Sequence, residues 1–115
     1  MTRFICAPSE TLFGYLRVPG DKSISHRSIM LSSIAEGDTE ICGFLQGDDS
    51  MNTLKAFQQL GVEIEQSGSN LTVHGVGLHG LRAPQQALDM GNSGTAMRLM
   101  AGLLSGQSFD STLIG

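Results

Sequence analysis

Apolar positions in this chain come in short runs separated by glycine-rich breaks, and their spacing changes from run to run. "TLFGYLRV" (11–18) reads as a strand, rich in aromatic and β-branched side chains and closed by Pro19-Gly20. Residues 24–36 carry helical spacing and stop at Gly37, a common helix end. "DTEICGFL" (38–45) alternates like a strand. Asp48, Asp49 and Ser50 offer an N-cap for a second helix to Leu60, with Met51, Leu54, Phe57 and Leu60 on its apolar side. "VEIEQ" (62–66) and "NLTVHGV" (70–76) alternate on either side of a Ser-Gly-Ser-Asn turn and predict a hairpin.

After the loop "GVGLHGLRAPQQ" (75–86) the pattern restarts. "ALDM" (87–90) reads as a short strand, "GNSGT" as a turn, residues 95–105 as a helix and "SFDSTLIG" (108–115) as another strand. Both units run from a Gly/Ser loop to an Arg early in a helix (Arg27, Arg98), and then to a helix-ending glycine (Gly37, Gly106). An internal repeat of this kind predicts a larger repetitive α/β architecture, of which the second unit is only begun.

A hydrophobic share of 40% and a mean hydropathy near zero suit a soluble globular domain, and no apolar run reaches the roughly 18 residues of a membrane span. The opening "MTRFICAPSE" lacks the apolar core of a secretion signal, which makes the cytoplasm the expected location. Cys6 and Cys42 have no metal-site spacing and are expected to be small buried hydrophobes. The net charge of −4 and the few aromatics argue against nucleic acid as a partner.

Against that acidic background Arg17, Lys22 and Arg27 cluster within residues 17–27, around "VPGDKSISHR". With a helix beginning near Ser23, Ile24, Met30, Leu31, Ile34 and Ala35 share one stripe, and Ser23 and Arg27 lie at its N-terminal end. Cations at a helix N-terminus oppose the helix dipole. An anion seated between Lys22, the Ser23 hydroxyl, Arg27 and free backbone N–H groups removes that penalty. The bland alternative leaves Lys22 solvated and pairs Arg27 with Asp21 or a distant acid. "GNSGTAMR" (91–98) offers a second oxyanion cradle, with Gly91 and Gly94 for close approach, Ser93 or Thr95 as cap, and Asn92 as an amide; it equally fits an ordinary turn. Arg98 lies off the apolar stripe and is expected to be solvated or to pair between elements. His26 is expected on the outer face of its helix, and His26, His74 and His79 make no ligand set; no metal site is expected. "GVGLHG" (75–80) matches G-x-G-x-x-G, but "LRAP" follows where a dinucleotide site needs a helix.

"PGDKSISHR" followed some seventy positions later by "GNSGTAMR" resembles the N-terminal part of the EPSP synthase family (3-phosphoshikimate 1-carboxyvinyltransferases), and "EGDTEICGFLQGDDSMNTLKAFQQLGV" between them fits as well. The resemblance implies a two-lobed α/β enzyme built of repeated βαβαββ units, an inside-out α/β barrel that is incomplete in these residues. Residues 1–20 would belong with the C-terminal lobe, and 21–115 would form the first unit and the start of the second. It further implies transfer of the enolpyruvyl group of phosphoenolpyruvate to the 5-hydroxyl of shikimate 3-phosphate, by addition and elimination, in a monomer using no metal or cofactor. Lys22 would contact both substrates as the catalytic residue, Ser23 and Arg27 would hold shikimate 3-phosphate, and Gly94 with Asn92 would meet phosphoenolpyruvate. The acid/base carboxylates of the family lie beyond residue 115, so this segment alone is expected to be inactive and to need the remainder of its polypeptide. His26, Ser93 and Leu99 stand where many members have Asn, Ala and Pro. The bare Gly94 implies sensitivity to glyphosate. The sister family acting on UDP-N-acetylglucosamine favours Lys-Asn where this chain has Lys22-Ser23 and lacks the S-x-S-x-R run; a non-catalytic phosphate-binding fragment is the other alternative.

Overall fold

A computed structural model describes residues 2–115. Helix α1 spans Lys22–Ile34, strand β1 Glu36–Ile41, helix α2 Asp48–Gln59, and strands β2 and β3 Glu63–Ser67 and Asn70–Val76. A short β4 (Leu88–Asp89), helix α3 (Gly94–Ser105) and β5 (Leu113–Ile114) follow. The expected hairpin forms as β2–β3, and β1 adds antiparallel to the other edge of β3, giving the order β1-β3-β2. Beyond the 77–87 loop, β4 and β5 pair in parallel across α3, so the predicted restart is a genuine βαβ crossover.

Period-two alternation decides which face of the sheet is buried. Leu71 and Val73 of β3 and Ile64 of β2 point inward, while Asp38, Glu63, Glu65 and His74 line the outer face. The inner face packs against α1 and α2. Leu54 and Phe57 of α2 and its C-cap Leu60 are buried as the stripe predicted, Met51 only in part, and complete burial of Phe57 is worth about 1.5–3 kcal/mol. Met90, Ala96, Met100 and Leu104 extend the same core into the second unit. Gly75 lets β3 run close beneath the end of α1, where a Cβ would strike the carbonyls of Ser32 and Ala35.

Four expectations are overturned. Residues 11–18 form no strand, and Phe13 is 97% exposed; a lone segment gains neither ladder hydrogen bonds nor a packed face, and nothing else in these residues supplies one. The face of α1 was misplaced. Ser25, His26, Ile29, Met30, Ser32 and Ser33 are buried, whereas Ile24 and Leu31 are 68% and 64% exposed. His26 is therefore an inner residue, at 0% exposure, because its ring nitrogens find partners inside. Cys6 and Cys42 are both exposed, the first in the strandless segment and the second just past the end of β1. Among the described residues no helix is long and apolar enough to cross a membrane.

Candidate functional site

Helix α1 opens at Lys22 because Asp21 caps it: the Ile24 N–H donates to Asp21 Oδ1 at 2.8 Å. The Ser25 hydroxyl donates to the Asp21 carbonyl at 2.7 Å and accepts the Leu45 N–H at 3.1 Å, which pins the loop after β1 beside this helix mouth. Lys22 Nζ lies 3.4 Å from Asp49 Oδ2 on the first turn of α2, and its side chain stays 54% exposed. Exposed Arg27 donates from Nη1 to the Ser23 carbonyl at 3.4 Å. Neither cation pairs with Asp21. The acid instead occupies one of the N–H donors expected to meet an anion, so the site's positive character rests on its side chains. Asp48 and Asp49 sit inside the first turn of α2, whose N-cap position is Gly47, where their charge complements the dipole.

The second mouth has the same plan. Ser93 caps α3, its Oγ accepting the Ala96 N–H at 3.1 Å. Asp89 Oδ1 accepts the Gly91 N–H at 2.8 Å, and Gly91 holds φ +57 with the Asn52 amide against its Cα. Asn92 and Gly94 are exposed. Arg98 donates from Nη1 to the Gly94 carbonyl at 3.2 Å, repeating the Arg27–Ser23 contact four residues back along its helix.

One buried side chain joins the two mouths. His26 Nδ1 lies 2.7 Å from Thr53 Oγ1 of α2, and Nε2 lies 3.5 Å from Ser93 Oγ. Burial pushes the His26 pKa below the ordinary histidine value; Lys22 and Arg27 push the same way, and Asp49 partly opposes them. The ring is neutral at neutral pH. Since His26 precedes Arg27 and Ser93 precedes Gly94, this link brings the Lys22/Ser23/Arg27 group and the Asn92/Gly94 group to one region of the fold.

Sequence reasoning found the two mouths and missed what holds them: His26, Asp49, Asn52 and Thr53. Asp49 and Thr53 stand at i, i+4 on α2 and so share a face, a signal present in the sequence. That α2 lies alongside α1 is a tertiary fact no local pattern carries. An open cleft of about 510 Å³ lies between residues 17–20 and the 42–46 loop; Arg17 of the cation cluster lines it, but Lys22, Ser23, Arg27, Asn92 and Gly94 do not. On the outer sheet face His74 is less isolated than expected, with Nδ1 2.7 Å from Asp38 and Nε2 3.6 Å from Glu65. The hydrogen bond to Asp38 raises its pKa.

These features coincide with one family. A sequence model described as EPSP synthase (3-phosphoshikimate 1-carboxyvinyltransferase) matches residues 6–115. The chain is 66% identical to a 3-phosphoshikimate 1-carboxyvinyltransferase of Hydrogenovibrio crunogenus, with 98% of this chain and 26% of the relative covered. It is 58% identical to that of Ruthia magnifica over 100% of this chain and 26% of the relative. A solved EPSP synthase from Acinetobacter baumannii superposes with a TM-score of 0.84 at 58% identity, covering 89% of this chain and 23% of that one. The 115 residues thus span about a quarter of these relatives' length. With the family match running through nearly all of the sequence, the chain belongs to the EPSP synthase family.

Proposed function

We propose that the protein containing these residues transfers the enolpyruvyl group of phosphoenolpyruvate to the 5-hydroxyl of shikimate 3-phosphate, releasing phosphate. The observation that carries the reading is the pair of similarly built helix mouths, one cationic and one bare, fastened to each other through His26 and Ser93.

Two polyanionic substrates must lie side by side for the hydroxyl to add to the phosphate-bearing enol carbon of phosphoenolpyruvate, from which phosphate then leaves. Lys22, half-exposed and held by one ion pair at 3.4 Å, turns from Asp49 to the substrate anions at little cost. Ser23 and Arg27 hold shikimate 3-phosphate from the same turn. Gly94, having no side chain, admits phosphoenolpyruvate to the backbone of the second mouth, with the Asn92 amide beside it. Adjacent fixation supplies proximity, and the cations offset the charge of the tetrahedral adduct. Exposed Phe4, Leu12, Phe13 and Tyr15 support assigning residues 1–20 to the C-terminal lobe, and 21–115 to the N-terminal lobe.

The test is Lys22→Met in the full-length protein. Loss of charge-assisted contacts worth about 1.5–3 kcal/mol each, to two substrates, lowers kcat/KM by roughly 100-fold or more. A variant that keeps both affinities and its turnover sinks the assignment. The isolated 115-residue segment gives no turnover, whatever it binds.

A further inference from the structure

We propose that His26 is a positioning residue for the reaction above: it sets the 91–94 turn from α1 through its hydrogen bond to Ser93. The inference rests on that functional reading and adds a residue that contacts no substrate. Its basis is a single consistent order of donors through the buried contacts. The Ala96 N–H donates to Ser93 Oγ, so the Ser93 hydroxyl proton is free to point to His26 Nε2. His26 then carries its proton on Nδ1 and donates to Thr53 Oγ1 at 2.7 Å, and Thr53 donates on to the Asp49 carbonyl at 3.4 Å. Each member gives one proton forward. The chain ends at the residue whose carboxylate holds Lys22.

The alternative tautomer breaks this order. With the proton on Nε2, Ser93 Oγ accepts twice, and its own proton loses the His26 acceptor. A neutral ring with Nδ1–H is therefore the arrangement that uses every donor, and full burial of the ring keeps solvent from substituting for either partner. The charged groups around the ring are Lys22 and Arg27 of α1 and Asp49 of α2. Because Ser93 is both the α3 cap and the residue before Gly94, a shift of its hydroxyl moves the first turn of α3. On this reading that turn faces phosphoenolpyruvate and not shikimate 3-phosphate.

The experiment is a double-substitution cycle in the full-length protein, read as separate KM values. An asparagine amide reaches where Nδ1 lies and a glutamine amide where Nε2 lies, so His26→Asn retains Thr53 and His26→Gln retains Ser93. His26→Asn and Ser93→Ala each raise the KM for phosphoenolpyruvate about threefold to tenfold, the value of one hydrogen bond. The KM for shikimate 3-phosphate moves less than about twofold on the same scale. The double variant is no worse than the worse single, and His26→Gln recovers most of the loss. Unchanged phosphoenolpyruvate KM values, multiplicative effects, or equal behaviour of Asn and Gln overturn the inference. Should the variants not fold, ¹⁵N-histidine spectra of the unaltered protein decide: a neutral Nδ1–H ring whose Nε2 signal moves with phosphoenolpyruvate supports it, and an Nε2–H or charged ring overturns it. If the unaltered protein turns over and only these results fail, the functional reading stands. If it binds neither substrate, that reading falls and takes this inference with it.

Discussion

The mouths of α1 and α3 are built to one plan and loaded differently. Each has a side-chain cap three residues before the N–H it accepts, Asp21 to Ile24 and Ser93 to Ala96. Each has an arginine folded back on the carbonyl four residues earlier. At the first helical position, however, one carries Lys22 and the other Gly94. The first mouth projects charge; the second withdraws its side chain and leaves backbone. Repetition of a supersecondary unit thus yields two helix mouths of contrasting character, because one position in the frame is free to vary while the cap and arginine keep the frame.

Placing a methyl group on the bare mouth breaks the contrast most directly. A Cβ at Gly94 would come 2.6 Å from Arg98 Nη1, the far end of a flexible chain, so the fold survives by displacing the guanidinium. Gly94→Ala therefore leaves thermal stability unchanged or slightly raised, since alanine is the better helix residue by about 0.5–1 kcal/mol. The KM for phosphoenolpyruvate and the inhibition constant for glyphosate rise together, roughly tenfold or more, the equivalent of about 1.4 kcal/mol. Unchanged constants in a folded variant remove Gly94 from the site.

Comparing the two caps gives a smaller effect. Asp21→Ala loses one cap bond, worth about 1 kcal/mol, while Asp21→Asn keeps it. Ser93→Ala loses the cap and also strips a partner from buried His26, so its stability cost is about 1–2 kcal/mol larger than that of Asp21→Ala. Equal costs in denaturant titration show the His26–Ser93 contact to be energetically silent.

How much of this was written locally can be read from α1 and α2. Helix α2 largely obeys its pattern because Leu54, Phe57 and Leu60 are buried in the apolar core, with Ser50 and Thr53 the polar residues it also turns inward. Helix α1 does not. Its inner face holds Ser25, His26, Ser32 and Ser33, and Ser25 and His26 meet partners on the 42–47 loop, α2 and the 91–93 turn. Hydropathy ranks such residues as outward and promotes Ile24 and Leu31, which nothing in these residues covers. The mouths were legible because glycine, serine and clustered cations at helix starts have local causes. The strut between them was not, since a histidine's burial depends on hydrogen-bond partners 27 and 67 residues away.

The two histidines in contact with other side chains sharpen the comparison by the opposite signs of their pH dependence. His26 has a lowered pKa in the fold, so the unfolded chain takes up its proton first. Its contribution is complete above about pH 6.5 and declines as pH falls through that value toward the folded pKa. His74, bonded to Asp38 with Glu63 and Glu65 nearby, has a raised pKa, so its contribution is complete below about pH 6.5 and is lost as pH rises through the folded value. In the unaltered protein the two slopes partly cancel. Melting curves of His26→Gln and His74→Gln across pH 5 to 8 separate them. Acidification costs His26→Gln less than it costs the unaltered protein, whereas His74→Gln loses the extra stability gained on the acid side. The His74 effect is the smallest predicted here, because its pairs are solvated and screened by salt. Parallel pH profiles for the two variants contradict the neutral, enclosed His26 on which the link between the mouths depends.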